Sequence, residues 1–251
     1  MSIMSLDVTS FDKGDAQSMA FLELRNVSKR YGNLNALNDV SLSIKKGSVV
    51  GLLGPNGSGK TTMIKLITGM LRHYKGTVFL EGLPWSYRSK ALISYLPDVF
   101  IFDGQHSVKG LMRYYRDMYP DFNELTFLSL LERFKIDRRG QFKQLSKGNK
   151  EKLQLAFVLA READLYIFDE PIGGVDPVVR EIILDTIMEF KQTDATVILA
   201  THQIHDVEPL FDEVIFLKEG SIHTHEDTKT LLSRSNRSLV DCFKEAFRDV
   251  H

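Results

Sequence analysis

The sequence predicts an α/β fold, and three observations carry that prediction. Apolar runs at 48–53 and 165–168 read as buried strands, the first followed at once by a glycine-rich loop and a helical pattern. Alternating apolar and polar residues at 21–27 and 36–44 read as half-exposed antiparallel strands leading into the first run. Between the two buried runs, roughly fifty residues have helical spacing, the mark of an insertion between strands of one sheet.

The loop after the first buried strand is Gly54-Pro55-Asn56-Gly57-Ser58-Gly59-Lys60-Thr61-Thr62, which fits G-x-x-x-x-G-K-[ST] at every defined position. Its glycines let the backbone bend so that N–H groups turn inward toward a triphosphate. The helix beyond carries Met63, Ile64, Leu66, Ile67, Met70 and Leu71 on one face and adds the positive end of its dipole. Lys60 is expected to reach the β- and γ-phosphates, and the Thr61 hydroxyl to ligate Mg²⁺. These features predict nucleoside triphosphate binding on a P-loop NTPase core of RecA-like type.

Composition narrows the class. The 251 residues are 43% apolar and 26% charged, ordinary values for a soluble globular chain. A net charge of −1 supplies no basic field, so no nucleic-acid partner is expected. A lone cysteine, Cys242, leaves no internal disulfide and suits a reducing compartment. No apolar run approaches the roughly eighteen residues of a membrane span. Asp7, Asp12, Lys13 and Asp15 break up the first stretch, so residues 1–18 read as a flexible leader rather than a signal peptide. The structured domain is expected over 19–251, and Met19 is itself a possible start.

Lys29-Arg30-Tyr31-Gly32 lies between the two half-exposed strands. Tyr31 either stacks on a nucleotide base or packs beside the turn glycine, and the residues alone leave both open. Further strands are expected at 76–80, ending in the turn Glu81-Gly82, and at 91–96, stopped by Pro97. The helical subdomain then occupies about 98–160, with Val108, Leu111, Met112, Tyr115, Met118 and Tyr119 at helical spacing and Leu125, Leu128, Leu131 and Phe134 repeating the pattern. Its aromatic stripes read as core.

Ser146 and Asn149 are candidate caps of a helix over 150–161. The apolar strand that follows ends in Asp169-Glu170. An aspartate at such a strand end holds Mg²⁺ in P-loop enzymes, and the adjacent Glu170 is placed to polarise a water for in-line attack. Gly173-Gly174-Val175-Asp176-Pro177 is a loop ending in an N-cap aspartate with proline at the first helical position, opening a helix to about Lys191. A strand at 196–200 ends in Thr201-His202, beside the expected phosphate site.

Taken in order, phosphate loop, helical insertion, L-S-x-G, apolar-D-E-P, G-x-D and T-H resemble the nucleotide-binding domain of ATP-binding cassette (ABC) transporters, from Phe21 to about Leu217. The resemblance implies that Tyr31 stacks on adenine, Asp169 is the Mg²⁺-linked aspartate and Glu170 is the catalytic glutamate. It implies that Asp176 belongs to the D-loop and that His202 contacts the γ-phosphate. Ser146 and Gly148 would bind the γ-phosphate of a partner subunit's ATP, in a head-to-tail pair enclosing two nucleotides. The expected function is then the ATP-hydrolysing subunit of a transporter, peripheral on the inner face of the cell membrane and driving a separate transmembrane permease.

Two positions depart from the family pattern. The signature usually reads L-S-G-G-Q, whereas here Lys147 and Asn149 replace a glycine and the glutamine while Ser146 and Gly148 remain. The glutamine expected after Ile93-Ser94-Tyr95-Leu96-Pro97 is Asp98, an acid able to touch Mg²⁺ or its water; Gln105 lies too far along for that role. Phe100, Ile101 and Phe102 are apolar in a loop where the family receives a helix of the membrane partner, with helical-core packing the alternative. In the tail, His223 and His225 read as a solvated loop rather than a metal site. Ser238-Leu239-Val240-Asp241 fits a capping box opening an amphipathic helix over about 238–250, with Leu239, Phe243, Ala246, Phe247 and Val250 on one face. Tail and Asp98 together resemble ABC-2-type exporter ATPases. The rival class is a soluble ABC ATPase acting on the ribosome or nucleic acid. A single cassette, no heptad run and near-neutral charge count against it.

Overall fold

The computed structural model describes residues 20–99, 102 and 106–248. The leader at 1–18, and Phe100, Ile101, Gln105 and Val250, lie outside the described residues. β1 (Leu22–Tyr31) and β2 (Leu34–Ile44) form a hairpin whose turn holds Gly32 at φ 56°, a left-handed conformation glycine adopts freely. Tyr31 therefore ends a strand at the hairpin tip. β3 (Val49–Leu53) runs into the phosphate loop and α1 (Lys60–Ile67). β4 (Lys75–Leu80) and the short β5 (Leu83–Pro84) follow. β6 spans only Ile93–Leu96, because Tyr87–Leu92 closes a 3₁₀ turn fixed by a reciprocal Ser86–Ser89 capping box.

The insertion consists of α2 (Val108–Met118), α3 (Glu124–Phe134) and α4 (Lys147–Leu159). Ser107, Asn123 and Ser146 cap them, accepting from the backbone N–H groups of Gly110, Thr126 and Asn149. Ser146, not Asn149, is thus the cap of α4, and the helix opens earlier than the apolar spacing indicates. The chain continues through β7 (Leu165–Asp169), α5 (Pro177–Phe190), β8 (Thr196–Thr201), β9 (Glu213–Lys218), β10 (Ser221–Asp227), α6 (Thr228–Ser235) and α7 (Leu239–Ala246).

Two sheets result. An antiparallel sheet has the order β2-β1-β4-β5, and a six-stranded sheet the order β10-β9-β3-β8-β7-β6. In the latter every pair is parallel except β9–β10. Both faces of the parallel strands are covered, which is why they read as unbroken apolar runs. Val50, Leu52, Leu165, Ile167, Ile198 and Ala200 face α1 and the antiparallel sheet. The alternate residues Val49, Leu53, Tyr166, Phe168, Val197 and Leu199 face the helical side.

The aromatic stripes of the insertion are core, as their spacing predicts. Phe157 lies 4.3 Å from Tyr115 and 4.4 Å from Phe127 between ring centroids, and Phe102 meets Phe142 and Phe157 edge-on. Phe102 is therefore a packing residue; full burial of each such ring stabilises by about 2–3 kcal/mol. Arg161 ties the insertion to the sheet. Its guanidinium donates to Asp121 Oδ2 at 2.7 Å, Ile93 O at 2.6 Å and Ala91 O at 3.1 Å, and covers the Tyr119 ring.

The tail corrects one reading. His223 and His225 are not in a solvated loop but in β10, where His225 Nε2 lies 3.1 Å from Glu213 Oε2 across the β9–β10 ladder. α6, capped by Asp227, is a further helix that the sequence pattern does not announce. α7 is capped by Ser238 as expected and buries Leu239, Cys242 and Phe247 on the main body.

Candidate nucleotide site at the carboxyl ends of the strands

Register brings the chemistry together. Leu53 of β3 pairs with Thr201 of β8, and Asp169 of β7 pairs with Ala200, so three strands end side by side. Crevices at the carboxyl ends of parallel strands are where α/β sheets bind ligands. Gly59 is the N-cap of α1 at φ 110°, and a Cβ there would stand 2.5 Å from the Ala36 carbonyl oxygen. Only glycine fits this backbone. No side chain caps α1, which leaves its first N–H groups available to an anion.

Lys60 is buried and folds along the loop, donating from Nζ to Gly54 O at 2.7 Å and Pro55 O at 3.3 Å. Burial lowers its pKa, and the charges of Glu170 and Asp169 oppose that shift. Nζ stands 3.8 Å from Glu170 Oε1. Asn56 through Thr62 line a cleft of about 370 Å³ with Tyr31, Asp98, Asp169 and Glu170. Tyr31 is 44% exposed and lines that cleft, so its ring is open to a ligand there. Leu34, Asn35 and Ala36 also line the cleft. They lie on the returning strand of the hairpin, and no motif marks them.

Asp169 is 2% exposed, and among the described residues its carboxylate makes no close hydrogen bond, with the Thr61 and Tyr95 hydroxyls its nearest donors. Burial raises its pKa; the nearby Thr61 hydroxyl pulls it back, and the charges of Asp98 and Glu170 add to the rise. Glu170 takes a left-handed backbone at φ 52°, which costs about 1 kcal/mol for a non-glycine residue and turns its side chain onto β8. There Oε2 accepts from Thr201 Oγ1 at 3.1 Å and Oε1 lies 2.9 Å from His202 Nδ1. Thr201 is the residue that sequence reading leaves without a role. Its hydroxyl also accepts from Gln203 N at 3.0 Å, so it fixes both the glutamate and the start of the next loop.

The profile of the ABC transporter family matches residues 37–173, which hold the phosphate loop, Ser146, Gly148, Asp169 and Glu170. This chain belongs to the ABC transporter family. The ABC transporter ATP-binding protein YtrB of Bacillus subtilis is 33% identical over 80% of this chain and 70% of its own length. The Nod factor export ATP-binding protein I of Burkholderia orbicola is 32% identical over 81% of this chain and 69% of its own. A solved ATP-binding subunit of an ABC transporter superposes with a TM-score of 0.80 at 26% identity, covering 90% of this chain and 99% of that one. The chain is thus an ATP-binding subunit of an ABC transporter, a transport ATPase.

The remaining positions of the ABC pattern fall outside the phosphate cleft. Ser146 is exposed at the start of α4, and open space lies ahead of Gly148. Lys147 is exposed, with Nζ 3.7 Å from Glu151 Oε1, so the signature lysine is paired within its own helix. Asp176 caps α5, accepting from Val179 N at 3.1 Å. Asp98, Asp169 and Glu170 line both the phosphate cleft and a second recess, which Lys147, Glu151 and Gln154 also line. Among the described residues no group of three His, Cys, Asp or Glu side chains could hold a metal alone. Mg²⁺ needs no such group, since one or two carboxylates and substrate phosphates suffice. The bare Asp169 carboxylate, the Thr61 hydroxyl and Asp98 are oxygen donors of that kind.

Proposed function

We propose that this ABC ATPase closes head to tail with a second ATPase subunit around two MgATP and drives a separate transmembrane permease from the inner face of the membrane, in the direction of export. One observation carries the reading: Ser146 and Gly148 of the signature share no lining with the phosphate loop of their own chain. Phosphate loop, Asp169 and Glu170 line one cleft, with His202 held against Glu170 outside that lining, whereas Ser146 and Gly148 line no part of it, Ser146 being exposed and Gly148 having room for a side chain. A second copy, or a similar subunit, supplies the missing half. The name of the Burkholderia relative supports export, and so does the resemblance of the tail and Asp98 to exporter ATPases.

Residues 19–251 act in this reading as one ATPase unit, with the helical insertion presenting the signature. Tyr31 stacks on the adenine, and the N–H groups of 56–62 cradle the phosphates. Lys60 transfers its hydrogen bonds from the Gly54 and Pro55 carbonyls to the β- and γ-phosphates. Asp169, Thr61 and Asp98 would hold Mg²⁺, which when bound would neutralise charge on the phosphate oxygens. Glu170 orients the attacking water, and Lys60, His202 and the partner's signature offset charge that develops on the transferred phosphoryl. ATP binds the closed pair better than the open one, and that difference supplies the work. Hydrolysis reopens the pair, and the loop at Asp98 passes the change to the permease. Tagged Glu170→Gln protein captured from solubilised membranes of its host is expected to bring down a multi-spanning protein in stoichiometric amount. Recovery of ribosomal proteins alone would remove the membrane role and leave the ATPase.

A further inference from the structure

We propose that Lys29 is the positioning residue of the base platform, a strut that fixes the Tyr31 ring relative to the phosphate loop. The inference rests on the assignment of Tyr31 to the adenine. Nζ of Lys29 lies 4.9 Å from the Tyr31 ring centroid and donates to the His73 carbonyl at 2.6 Å. His73 sits in the segment joining α1, which opens at the phosphate loop, to β4. One ammonium thus touches the base platform on one side and the exit of the phosphate-loop helix on the other. Tyr31 lines the nucleotide cleft and Lys29 stands outside that lining, and the strut requires the cation to cover the ring face turned away from the base.

The strand shows why a strut is needed. Pairing of β1 with β4 ends at Ser28–Lys75, so beyond it the tip of β1 is laddered to β2 alone. Two-stranded ribbons are marginal by themselves. The β1–β2 register also shifts between Val27 and Lys29 and again between Lys29 and Arg30, irregularities of the kind that re-aim side chains beside a site. The Lys29–His73 hydrogen bond continues the β1–β4 edge past its last ladder pair. A long stem ending in several donors can hold a carbonyl and cover a ring at once.

The test compares ADP with inorganic pyrophosphate by titration calorimetry on the full chain, since the two share phosphates and differ by base and sugar. Lys29→Met should weaken ADP about five-fold, leave pyrophosphate within about two-fold, and add little to the loss already caused by Tyr31→Ala. Lys29→Arg should restore ADP affinity. An equal loss of ADP and pyrophosphate in Lys29→Met, or a loss that persists in full on top of Tyr31→Ala, would overturn the strut. So would unchanged ADP affinity in Lys29→Met while Tyr31→Ala is impaired. If Tyr31→Ala itself leaves ADP binding unchanged, the base platform falls, and the strut with it.

Discussion

Oε1 of Glu170 lies 2.9 Å from Nδ1 of His202, and the same carboxylate accepts from Thr201 at 3.1 Å through its other oxygen. Two residues placed by neighbouring strands thus engage each other directly, and Lys60 Nζ stands 3.8 Å from the same Glu170 oxygen. Glu170→Gln should lower ATP turnover by about 100-fold while leaving ATP affinity within a few-fold. His202→Ala should slow turnover in the same way, without the affinity loss expected of a binding residue. Steady-state hydrolysis together with equilibrium titration separates the two quantities.

Lys60 carries the opposite signature. Its ammonium is buried and spends its hydrogen bonds on the Gly54 and Pro55 carbonyls, partners that a phosphate can replace. Lys60→Ala should weaken ATP by about 100-fold or more, because a charge-assisted bond and the charge itself are both lost. Calorimetry showing wild-type affinity would contradict the loop assignment.

Asp169 is held at a cost to the fold. Burial raises its pKa above the ordinary aspartate value of 3.8, so the ionised carboxylate destabilises the folded chain at neutral pH. The penalty is complete above the raised folded value and disappears as pH falls to the unfolded one. Asp169→Asn should therefore melt higher than wild type at pH 8, and the gain should shrink as the pH is lowered toward the unfolded value of 3.8. Equal gains across that range would disprove the electrostatic cause. Hydrolysis that depends on Mg²⁺ should be lost in the same variant, and EDTA should abolish it in the wild type.

Arg161 is structural. Its replacement by methionine strands the Asp121 carboxylate and two carbonyls, and should cost about 3 kcal/mol, or roughly 10 °C in melting temperature. Thermal unfolding measures this directly, and a change of only a degree or two would mean that the insertion is held by its aromatic packing alone.

What the sequence revealed and what it hid have physical reasons. The phosphate loop was legible because its backbone dictates residue type, as at Gly59, where a side chain would strike Ala36. Asp169 and Glu170 stood out because two acids closing an apolar strand have no packing rationale. Asp176 and Ser238 cap helices where the pattern puts them, and Ser146 is one of the two caps it offers for α4. The contact of Thr201 with Glu170 was not legible, because it depends on the register of two parallel strands joined through α5. The pairing of His225 with Glu213 is likewise a cross-strand fact, and β10 carries too many polar residues to announce itself. Leu34, Asn35 and Ala36 reach the cleft only because the hairpin folds back over the phosphate loop.

The central claim is that one chain contributes two half-sites to a shared pair of nucleotide sites, and the mass of the Glu170→Gln protein in solution tests it most directly. Light scattering coupled to size exclusion should show a monomer without nucleotide and a doubled mass with MgATP, and the added change Ser146→Arg should abolish the doubling while ATP binding to the monomer persists. A Glu170→Gln protein that binds MgATP and stays monomeric, alone and with its co-purifying ATPase subunits, would contradict the account.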